Sequence, residues 1–474
     1  MDLGEHASAE LSVGPHHHGP LEPDATLKAF LSDPRVTKLP SLPYAPQFVL
    51  DTPALVCFLS TEEKAEILGY DRVYTVGRVL GSRKKSSSSA AASDTNGTLA
   101  QRYEGVPNDH IAYRFLCNKV EGRGTFAVVL SATDEKNQSQ QVALKVLSIL
   151  PNHNAEPVQH EKMIEQEISI LRTLSQSSAP DNFVKFFERV EFRQHTVLVF
   201  ELLGVDLETD LHNRYRSGRG YTLTEVQGIC RQMVCALQCM QSKSIVHADL
   251  KPNNVMININ DDGAVQLKVI DFGRAFEEAH GPHSGWSQNA SYAAPDKVLG
   301  CHIGPGVDQF AAGCIAFELL TGERLFNVPR DITHWQQMFC YLSALGKPST
   351  GIAFMPCKFK HVQRYFHSRA GNPRDEICRA APGRSVVLLP PNYISQPATL
   401  AHRLVLKQAP AHAVSFVLSL LAWEPEKRQL AFSHCFLDAG AHINSCSSQG
   451  CGDHICCHGF YFYRARPNRW QLHS

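Results

Sequence analysis

The chain has 474 residues, of which 43% are hydrophobic, and its 46 basic Lys and Arg side chains balance 46 acidic ones. This balance gives no electrostatic reason to expect a nucleic acid or an anionic membrane as a partner. No apolar run approaches the roughly 18 residues of a membrane-spanning helix, and the N-terminal stretch lacks the basic and apolar regions of a signal peptide. Fifteen scattered cysteines then predict reduced thiols, in a protein of the cytoplasm, the nucleus or both.

The N-terminal part of the chain divides into three segments by composition. Residues 1–45 are rich in Gly, Pro, His and Ser without periodicity and are predicted to be a disordered tail. Residues 46–112 are predicted to form an accessory region that packs against the strands that follow. Within it, GSRKKSSSSAAASDTNGT belongs to a low-complexity linker at 81–100.

One helix is predicted inside the accessory region, in LSTEEKAEILGYDRVY (59–74). Ser60 or Thr61 is a suitable N-cap, because a hydroxyl can accept a hydrogen bond from the first turn. The helix should then bury an apolar face formed by Ala65, Ile67 and Leu68.

From residue 113 the pattern changes to β-branched segments separated by turn-rich ones, as in QQVALKVLSIL after DEKNQSQ. HEKMIEQEISILRTL (160–174) has helical spacing, and TVLVFELL (196–203) is typical of a strand. Beyond it, helical patterns such as VQGICRQMVCALQCM dominate. A strand-rich piece at 113–203 followed by a helix-rich piece at 204–435 predicts an α+β protein with two lobes.

Two glycines, Gly122 and Gly124, lie in GRGTFA between two predicted strands. Glycine lets backbone N–H groups approach phosphate oxygens, so this hairpin is a candidate phosphate-binding flap, and Phe126 is included among its nucleotide contacts. A hairpin without any ligand explains the same pattern. Ala127 stands where a third glycine would complete a glycine-rich loop.

Lys145 ends the apolar VALK strand, and Glu167 lies 22 residues later on the predicted helix. A lysine at such a position is usually a surface residue with its ammonium in water. With a glutamate on the next element, it is instead a candidate for holding the α- and β-phosphates of a nucleotide.

HADLKPNN is the most informative segment, and VIDFG follows it after a further strand. Asp249 can accept the proton of an incoming hydroxyl, and Lys251 can neutralise charge on the transferring phosphate. Asn254 and Asp271 offer the oxygen ligands that Mg²⁺ prefers. These residues in this order on these elements predict phosphoryl transfer.

Together these motifs resemble the protein kinase fold over residues 113–435. The resemblance implies ATP and Mg²⁺ as cofactors and protein substrates with Ser or Thr acceptors, Tyr being left open, in a monomeric enzyme. It also implies a gatekeeper at Phe200 and nucleotide contacts from the hinge, the ribose site and the two sides of the adenine, namely Glu201, Leu203, Asp206, Val129, Ala143 and Met256. Three further motifs match the family: Ala294-Pro295-Asp296, Asp308 with Gly313, and Arg428, which would pair with the acid of the first.

The subfamily is narrowed by segments that generic kinases lack. LVFELLGVDL and an insert near 345–410 resemble the CMGC group. VPNDHIAYRF is similar to the DH box of the dual-specificity tyrosine-regulated kinases, and EEKAEILGYDRVYTVG to the N-terminal accessory region of their class 2 members. The HAD triplet also resembles the homeodomain-interacting kinases.

The activation segment departs from the family pattern. Aligned back from Ala294-Pro295-Asp296, it reads SGWSQNA, with Ser284 and Trp286 in place of the two usual tyrosines. Ala290 and Ala293 replace two arginines, and Ala248 replaces the arginine that grips a phosphorylated activation loop. The sequence therefore predicts either an active kinase whose loop is ordered by packing, or a pseudokinase scaffold.

The C-terminal tail, 436–474, belongs to a Cys- and His-rich run that starts near residue 433. Thiolates and imidazoles suit Zn²⁺, but the spacing lacks paired CxxC units. A reduced tail without metal is the alternative.

Overall fold

The computed structural model describes residues 42–81, 91–93, 99–101, 103–124, 126–148, 157–259, 264–280, 290–299, 303–329, 334–346, 399–428 and 430. Most of the predicted tail, linker and insert, and the Cys- and His-rich run, lie outside the described residues. The strands are β1 Ala91–Ser93, β2 Leu99–Gln101, β3 His110–Ile111, β4 Phe115–Arg123, β5 Ala127–Asp134, β6 Gln140–Leu147, β7 Phe186–Phe192, β8 His195–Glu201, β9 Val205–Asp206, β10 Ile245–Val246, β11 Val255–Ile259, β12 Val265–Val269 and β13 Phe276–Glu277. The helices are α1 Pro46–Asp51, α2 Pro53–Val56, α3 Thr61–Glu66, α4 Pro157–Ser175, α5 Leu207–Arg216, α6 Leu223–Ser242, α7 Pro295–Val298, α8 Gly306–Thr321, α9 His334–Leu345, α10 Thr399–Leu406 and α11 Ala411–Leu420.

The N-terminal lobe is built on a six-stranded antiparallel sheet in the order β3-β4-β5-β6-β8-β7. In β6, Val142, Leu144 and Val146 are buried, because side chains two residues apart share one face of a strand. Ala143 and Lys145 therefore lie on the opposite face, toward α4 and the cleft. The strand pattern of the sequence thus places the predicted lysine at the boundary between the lobes.

The C-terminal lobe is helical, with α8 at its centre. Of the sixteen residues in α8, the thirteen from Val307 to Leu319 are all buried. Such burial on every side fits the core helix of a large domain. A Cβ added to Gly313 would lie 2.9 Å from Leu420 Cβ, so the glycine allows α8 and α11 to approach closely. The predicted α+β fold with two lobes is confirmed.

The predicted helix of the accessory region is shorter than expected. Ser60 caps α3 in a reciprocal capping box with Glu63, and a 3₁₀ turn replaces the helix from Ile67 onward. Ile67 is fully buried, but Ala65 is exposed and Leu68 is 57% exposed. The expected apolar face is therefore wrong at Ala65 and Leu68. Ala65 lies within α3, but two residues from the buried Glu63 and so on the other side of the helix. Leu68 lies in the 3₁₀ turn, which removes the 3.6-residue period on which the prediction depended.

Polar contacts join the accessory region to the sheet. The Tyr113 hydroxyl donates to the Glu63 carbonyl oxygen and to Glu66 Oε2, both at 3.0 Å. Arg193, between β7 and β8, donates from Nη2 to Glu63 Oε1 and to Glu66 Oε2, both at 2.8 Å. β3 adds the end of the accessory region to the sheet edge by pairing with β4. None of the described helices is both long enough and apolar enough to cross a membrane.

Candidate active site

Three predicted charged residues meet at the cleft. Lys145 Nζ lies 2.7 Å from Glu167 Oε1 on α4 and 2.8 Å from Asp271 Oδ1. α4 is itself anchored to the segment after Asp271, since Gln166 Nε2 donates to the Ala275 carbonyl oxygen at 2.7 Å. The β6 lysine, the α4 glutamate and the DFG aspartate are thus joined across the two lobes.

The electrostatics of this cluster favour the charged forms of Lys145 and Asp271. Burial acts to lower the pKa of Lys145, but the facing carboxylates of Asp271 and Glu167 outweigh it and raise that pKa. The Lys145 ammonium in turn holds the pKa of Asp271 well below its usual range, against the opposing effect of desolvation. Asp271 is therefore a carboxylate throughout the neutral range, as a metal ligand must be.

The catalytic loop presents Asp249 beside a cation. Asp249 is 7% exposed, and its Oδ2 accepts a hydrogen bond from Lys251 Nζ at 2.8 Å. Asn254 Nδ2 donates to the Asp249 carbonyl oxygen at 2.8 Å. The Asp249 N–H donates to His247 Nδ1 at 3.2 Å, which fixes the backbone of Asp249. The loop thereby orients one carboxylate toward the cleft, with an ammonium on the same side.

The donor set fits a magnesium ion. Asp271 supplies a carboxylate that is 47% exposed at its side chain, and the Asn254 amide has its nitrogen committed to the loop, which leaves its oxygen for a ligand. Mg²⁺ prefers such oxygen ligands and is usually bound by one or two of them together with substrate phosphates. When bound, the ion would neutralise charge that develops on the phosphates.

The two flap glycines lie in open surroundings, and the β4–β5 register shifts between Val120 and Gly122. A Cβ on Gly122 would meet no atom within 4 Å, and one on Gly124 would meet only the Ala127 carbonyl oxygen, at 3.5 Å. Neither residue has a positive φ, and Phe126 is 53% exposed. Neither packing nor a positive φ therefore requires glycine at these two positions, and the close approach of a ligand stays a prediction.

The remaining predicted nucleotide contacts lie around the same cleft. Val129 pairs with Lys145 in the β5–β6 register, and Ala143 with the gatekeeper position Phe200 in the β6–β8 register. From the other lobe, Met256 pairs with Asp206. Val129, Ala143 and Met256 are all partly buried, as residues that line a cleft between lobes should be.

The hinge side chains have roles within the fold. Glu201 Oε1 accepts a hydrogen bond from Lys268 Nζ at 2.7 Å, and Leu203 packs partly buried on the main core. Asp206 caps α5, accepting from the Thr209 N–H at 2.9 Å and from the Thr209 hydroxyl at 2.7 Å. The sequence assigned Asp206 to a ribose and did not foresee this capping role.

The described part of the activation segment is held by neighbouring helices. Gln337 Nε2 and the Tyr341 hydroxyl, both on α9, donate to the carbonyl oxygens of Ala290 and Ala293, each at 2.7 Å. Tyr292 is 5% exposed, and its hydroxyl donates to Glu318 Oε2 at 2.5 Å. This burial fits a structural tyrosine. Ser284 and Trp286 lie outside the described residues.

The ion pair that the resemblance implies between Arg428 and Asp296 is present, and Asp308 contacts the catalytic loop. Arg428 Nη2 donates to Asp296 Oδ1 at 2.7 Å, and both side chains are almost completely buried. Asp308 accepts the backbone N–H groups of His247 and Ala248 at 2.7 and 2.9 Å. The first contact ties α7 to the segment after α11, and the second ties α8 to the catalytic loop.

Two basic residues near Asp249 were missed in the sequence. Arg274 follows the DFG motif, with its Nε 4.0 Å from Asp249 Oδ2. Lys297 follows Ala294-Pro295-Asp296, and its Nζ donates to the Ala248 carbonyl oxygen at 2.7 Å. In the sequence, each is marked only by its position next to a recognised motif. That position does not predict where the side chain points.

Comparison with known proteins agrees with this geometry. The protein kinase domain model matches residues 117–435. A putative dual specificity tyrosine-phosphorylation-regulated kinase 3 homolog of Drosophila melanogaster is 29% identical over 411 residues, which are 83% of this chain and 46% of that protein. The Caenorhabditis elegans kinase mbk-2, which carries the same dual-specificity description, is 31% identical over 380 residues, 77% of this chain and 43% of that one.

The human dual specificity tyrosine-phosphorylation-regulated kinase 4 is 29% identical over 393 residues, 81% of this chain and 69% of that protein. The chain therefore spans somewhat under half the length of the fly and worm relatives and a larger share of the human one. The resemblance predicted from the sequence motifs is confirmed. The chain belongs to the protein kinase family, and within it to the CMGC kinases that resemble the dual-specificity tyrosine-regulated group.

Proposed function

We propose that this chain is an active protein kinase that transfers the γ-phosphate of ATP, with Mg²⁺, to Ser and Thr hydroxyls of protein substrates. The observation that carries the proposal is the placement of Lys145 between Glu167 and Asp271, at 2.7 and 2.8 Å. In protein kinases this ion pair and the DFG aspartate must both be in place for turnover. The same chain keeps the catalytic carboxylate and the Asn ligand of the loop.

The residues divide the chemistry between them. Lys145, fixed by Glu167, would bind the α- and β-phosphates, while Asp271 and Asn254 would hold the metal ion. Asp249 would accept the proton of the acceptor hydroxyl. Lys251, 2.8 Å from that carboxylate, would neutralise negative charge on the phosphoryl group during transfer. Catalysis of this kind depends on positioning and electrostatic stabilisation rather than on a covalent intermediate.

The alternative is a pseudokinase scaffold, which would be favoured by a broken ion pair or a missing carboxylate. Among the described site residues neither feature occurs. The names of the relatives describe those proteins as dual-specificity kinases, so tyrosine is a second acceptor class to be tested in this chain.

The test is phosphate transfer from Mg-ATP to casein by the purified full chain, with Asp249→Asn beside it. Wild type should incorporate phosphate, and Asp249→Asn should be slower by about 10²- to 10⁴-fold, the usual contribution of a general base. Analysis of the phosphorylated residues then distinguishes Ser and Thr from Tyr. Equal incorporation by wild type and Asp249→Asn, with both proteins folded, would exclude the kinase assignment.

A further inference from the structure

The residue before the catalytic base has an unusual backbone. Ala248 adopts a φ of +62°, in the left-handed region that residues with a Cβ rarely occupy. Such a conformation costs free energy and persists only where the surrounding structure enforces it. Asp249 follows directly, so whatever holds the Ala248 peptide also sets the direction of the catalytic carboxylate.

Two side chains hold the Ala248 backbone, one through its N–H group and the other through its carbonyl oxygen. Asp308, on α8, accepts the Ala248 N–H at 2.9 Å and the preceding His247 N–H at 2.7 Å. Lys297, on α7, donates from Nζ to the Ala248 carbonyl oxygen at 2.7 Å. A hydrogen bond from a charged donor is stronger than one from a neutral group, so Lys297 is a substantial restraint on the carbonyl end.

The surroundings of Lys297 are charged on several sides. Asp308 faces it from α8, Asp249 from the catalytic loop, Arg274 from the segment after DFG, and Asp296 from its own helix. Burial penalises the ammonium and lowers its pKa to about 8, while Asp308 and Asp249 act in the opposite direction. The ammonium is therefore mostly charged at neutral pH and loses its proton in the mildly alkaline range.

We propose that Lys297 is a positioning residue for phosphoryl transfer, an internal cation that holds the Ala248 peptide and thereby orients Asp249. This inference rests on the proposed kinase function. In kinases with an arginine at the Ala248 position, that arginine connects the loop to an activation-segment phosphate. Here a cation from α7, the helix that contains Pro295 and Asp296, reaches the backbone of Ala248 without any phosphate.

The test compares three replacements in the full chain. Lys297→Met removes both charge and donor, Lys297→Gln keeps a neutral donor, and Lys297→Arg keeps a permanent cation. Lys407→Met is the matched control, because Lys407 pairs with Glu323 on the surface with 46% of its side chain exposed. For each protein, kcat and the KM for ATP are measured with casein from about pH 6.5 to 9.5, beside the melting temperature.

Lys297→Met and Lys297→Gln should lose at least about tenfold in kcat, equivalent to about 1.4 kcal/mol in the activation free energy. Their KM for ATP should not change, because the described hydrogen bond of Lys297 goes to the catalytic loop and not to a predicted nucleotide contact. Lys297→Arg and Lys407→Met should retain the wild-type kcat at neutral pH. A replacement with only a structural role would instead change the melting temperature and leave the pH profile alone.

The pH profile gives the sharper result. Wild-type kcat should fall as the pH rises through about 8, where Lys297 loses its proton, whereas Lys297→Arg should remain active above that pH. Wild-type kcat in Lys297→Met or, if that variant does not fold, in Lys297→Gln would overturn the proposal. The same alkaline loss in Lys297→Arg as in wild type would also overturn it. An inactive wild type would be a failure of the kinase assignment itself, which the Asp249→Asn comparison detects separately.

Discussion

Replacing Arg193 by Met should destabilise the chain by detaching the accessory region from the sheet. The guanidinium makes bonds of 2.8 Å to Glu63 and 2.8 and 2.9 Å to Glu66. Glu63 has only 3% of its side chain exposed, whereas Arg193 and Glu66 have 23% and 25%. Removal of Arg193 would thus leave a buried carboxylate without this cation.

The magnitude follows from that partial burial. Breaking a fully buried pair costs about 3–5 kcal/mol, while an exposed pair contributes about 0–1 kcal/mol. With one carboxylate buried and the other two groups about one quarter exposed, about 2 kcal/mol is expected for the free energy of unfolding. At about 2 °C per kcal/mol for a chain of this size, the melting temperature should fall by about 4 °C.

The assay is thermal unfolding of wild type, Arg193→Met, Glu63→Gln and the double variant. A coupling of about 1 kcal/mol or more between the two sites would identify the pair as the cause. Arg189→Met is the matched control, since Arg189 is 26% exposed but pairs with exposed carboxylates on α4, and it should change stability by less than about 1 kcal/mol. Additive effects of Arg193→Met and Glu63→Gln would refute the reasoning.

Two N-terminal deletions test whether the whole accessory region stabilises the sheet. Deletion of 1–105 should lower the melting temperature, because it removes α3 together with the apolar cluster around Val49, Phe58 and Ile67. Deletion of 1–40 should leave it unchanged. In the shorter chain Arg193→Met should have no further effect, since both partners are gone; an undiminished effect there would show that Arg193 acts elsewhere.

Three further outcomes are expected. Asp271→Ala should abolish Mg²⁺-dependent turnover while the chain stays folded, because Glu167 remains beside Lys145 at 2.7 Å; unchanged turnover would contradict the metal assignment. Tyr292→Phe should keep kinase activity but lower stability by about 1–3 kcal/mol, since the buried Glu318 loses a donor; loss of activity with normal folding would contradict a structural role. Treatment with a tyrosine-specific phosphatase should leave activity toward Ser and Thr unchanged, and inactivation reversed by rephosphorylation at Tyr292 would contradict a loop ordered by packing.

The sequence predicted best those residues whose positions follow from a regular element or a short motif. Lys145 could be placed because strand alternation directs it away from the Val142 and Leu144 face, and Glu167 because α4 is long and periodic. Asp271 could be placed because it follows a strand directly. Each prediction needed only local geometry and the proximity of two neighbouring elements.

The failures share a different cause. The apolar face at Leu68 depended on a helix that ends after six residues, and helix ends are set by capping and tertiary contacts rather than by period. The capping role of Asp206 was not foreseen, because an N-cap and a ribose contact both use a carboxylate at this position; its expected ribose contact stays a prediction. Lys297 bonds to a carbonyl oxygen 49 residues away, and a single lysine in a four-residue helix carries no signal of such a contact.

Hydrogen bonds to neighbouring helices order the described part of the activation segment. Two carbonyl oxygens of this segment, those of Ala290 and Ala293, accept hydrogen bonds from α9, and the donors Gln337 and Tyr341 are fully buried. Tyr292 anchors the same turn to α8. A phosphate adds about −1.5 to −2 charges and orders a loop only where cations receive it.

At positions 248, 290 and 293 this chain has alanine, so three of those cations are absent. Lys297, which bonds to the Ala248 carbonyl oxygen, already compensates at the catalytic loop. We therefore expect phosphorylation to add charge to the segment without restraining it further than these contacts do. Because those contacts involve no phosphate, we expect kinase activity without tyrosine phosphorylation of this segment, which the phosphatase treatment tests.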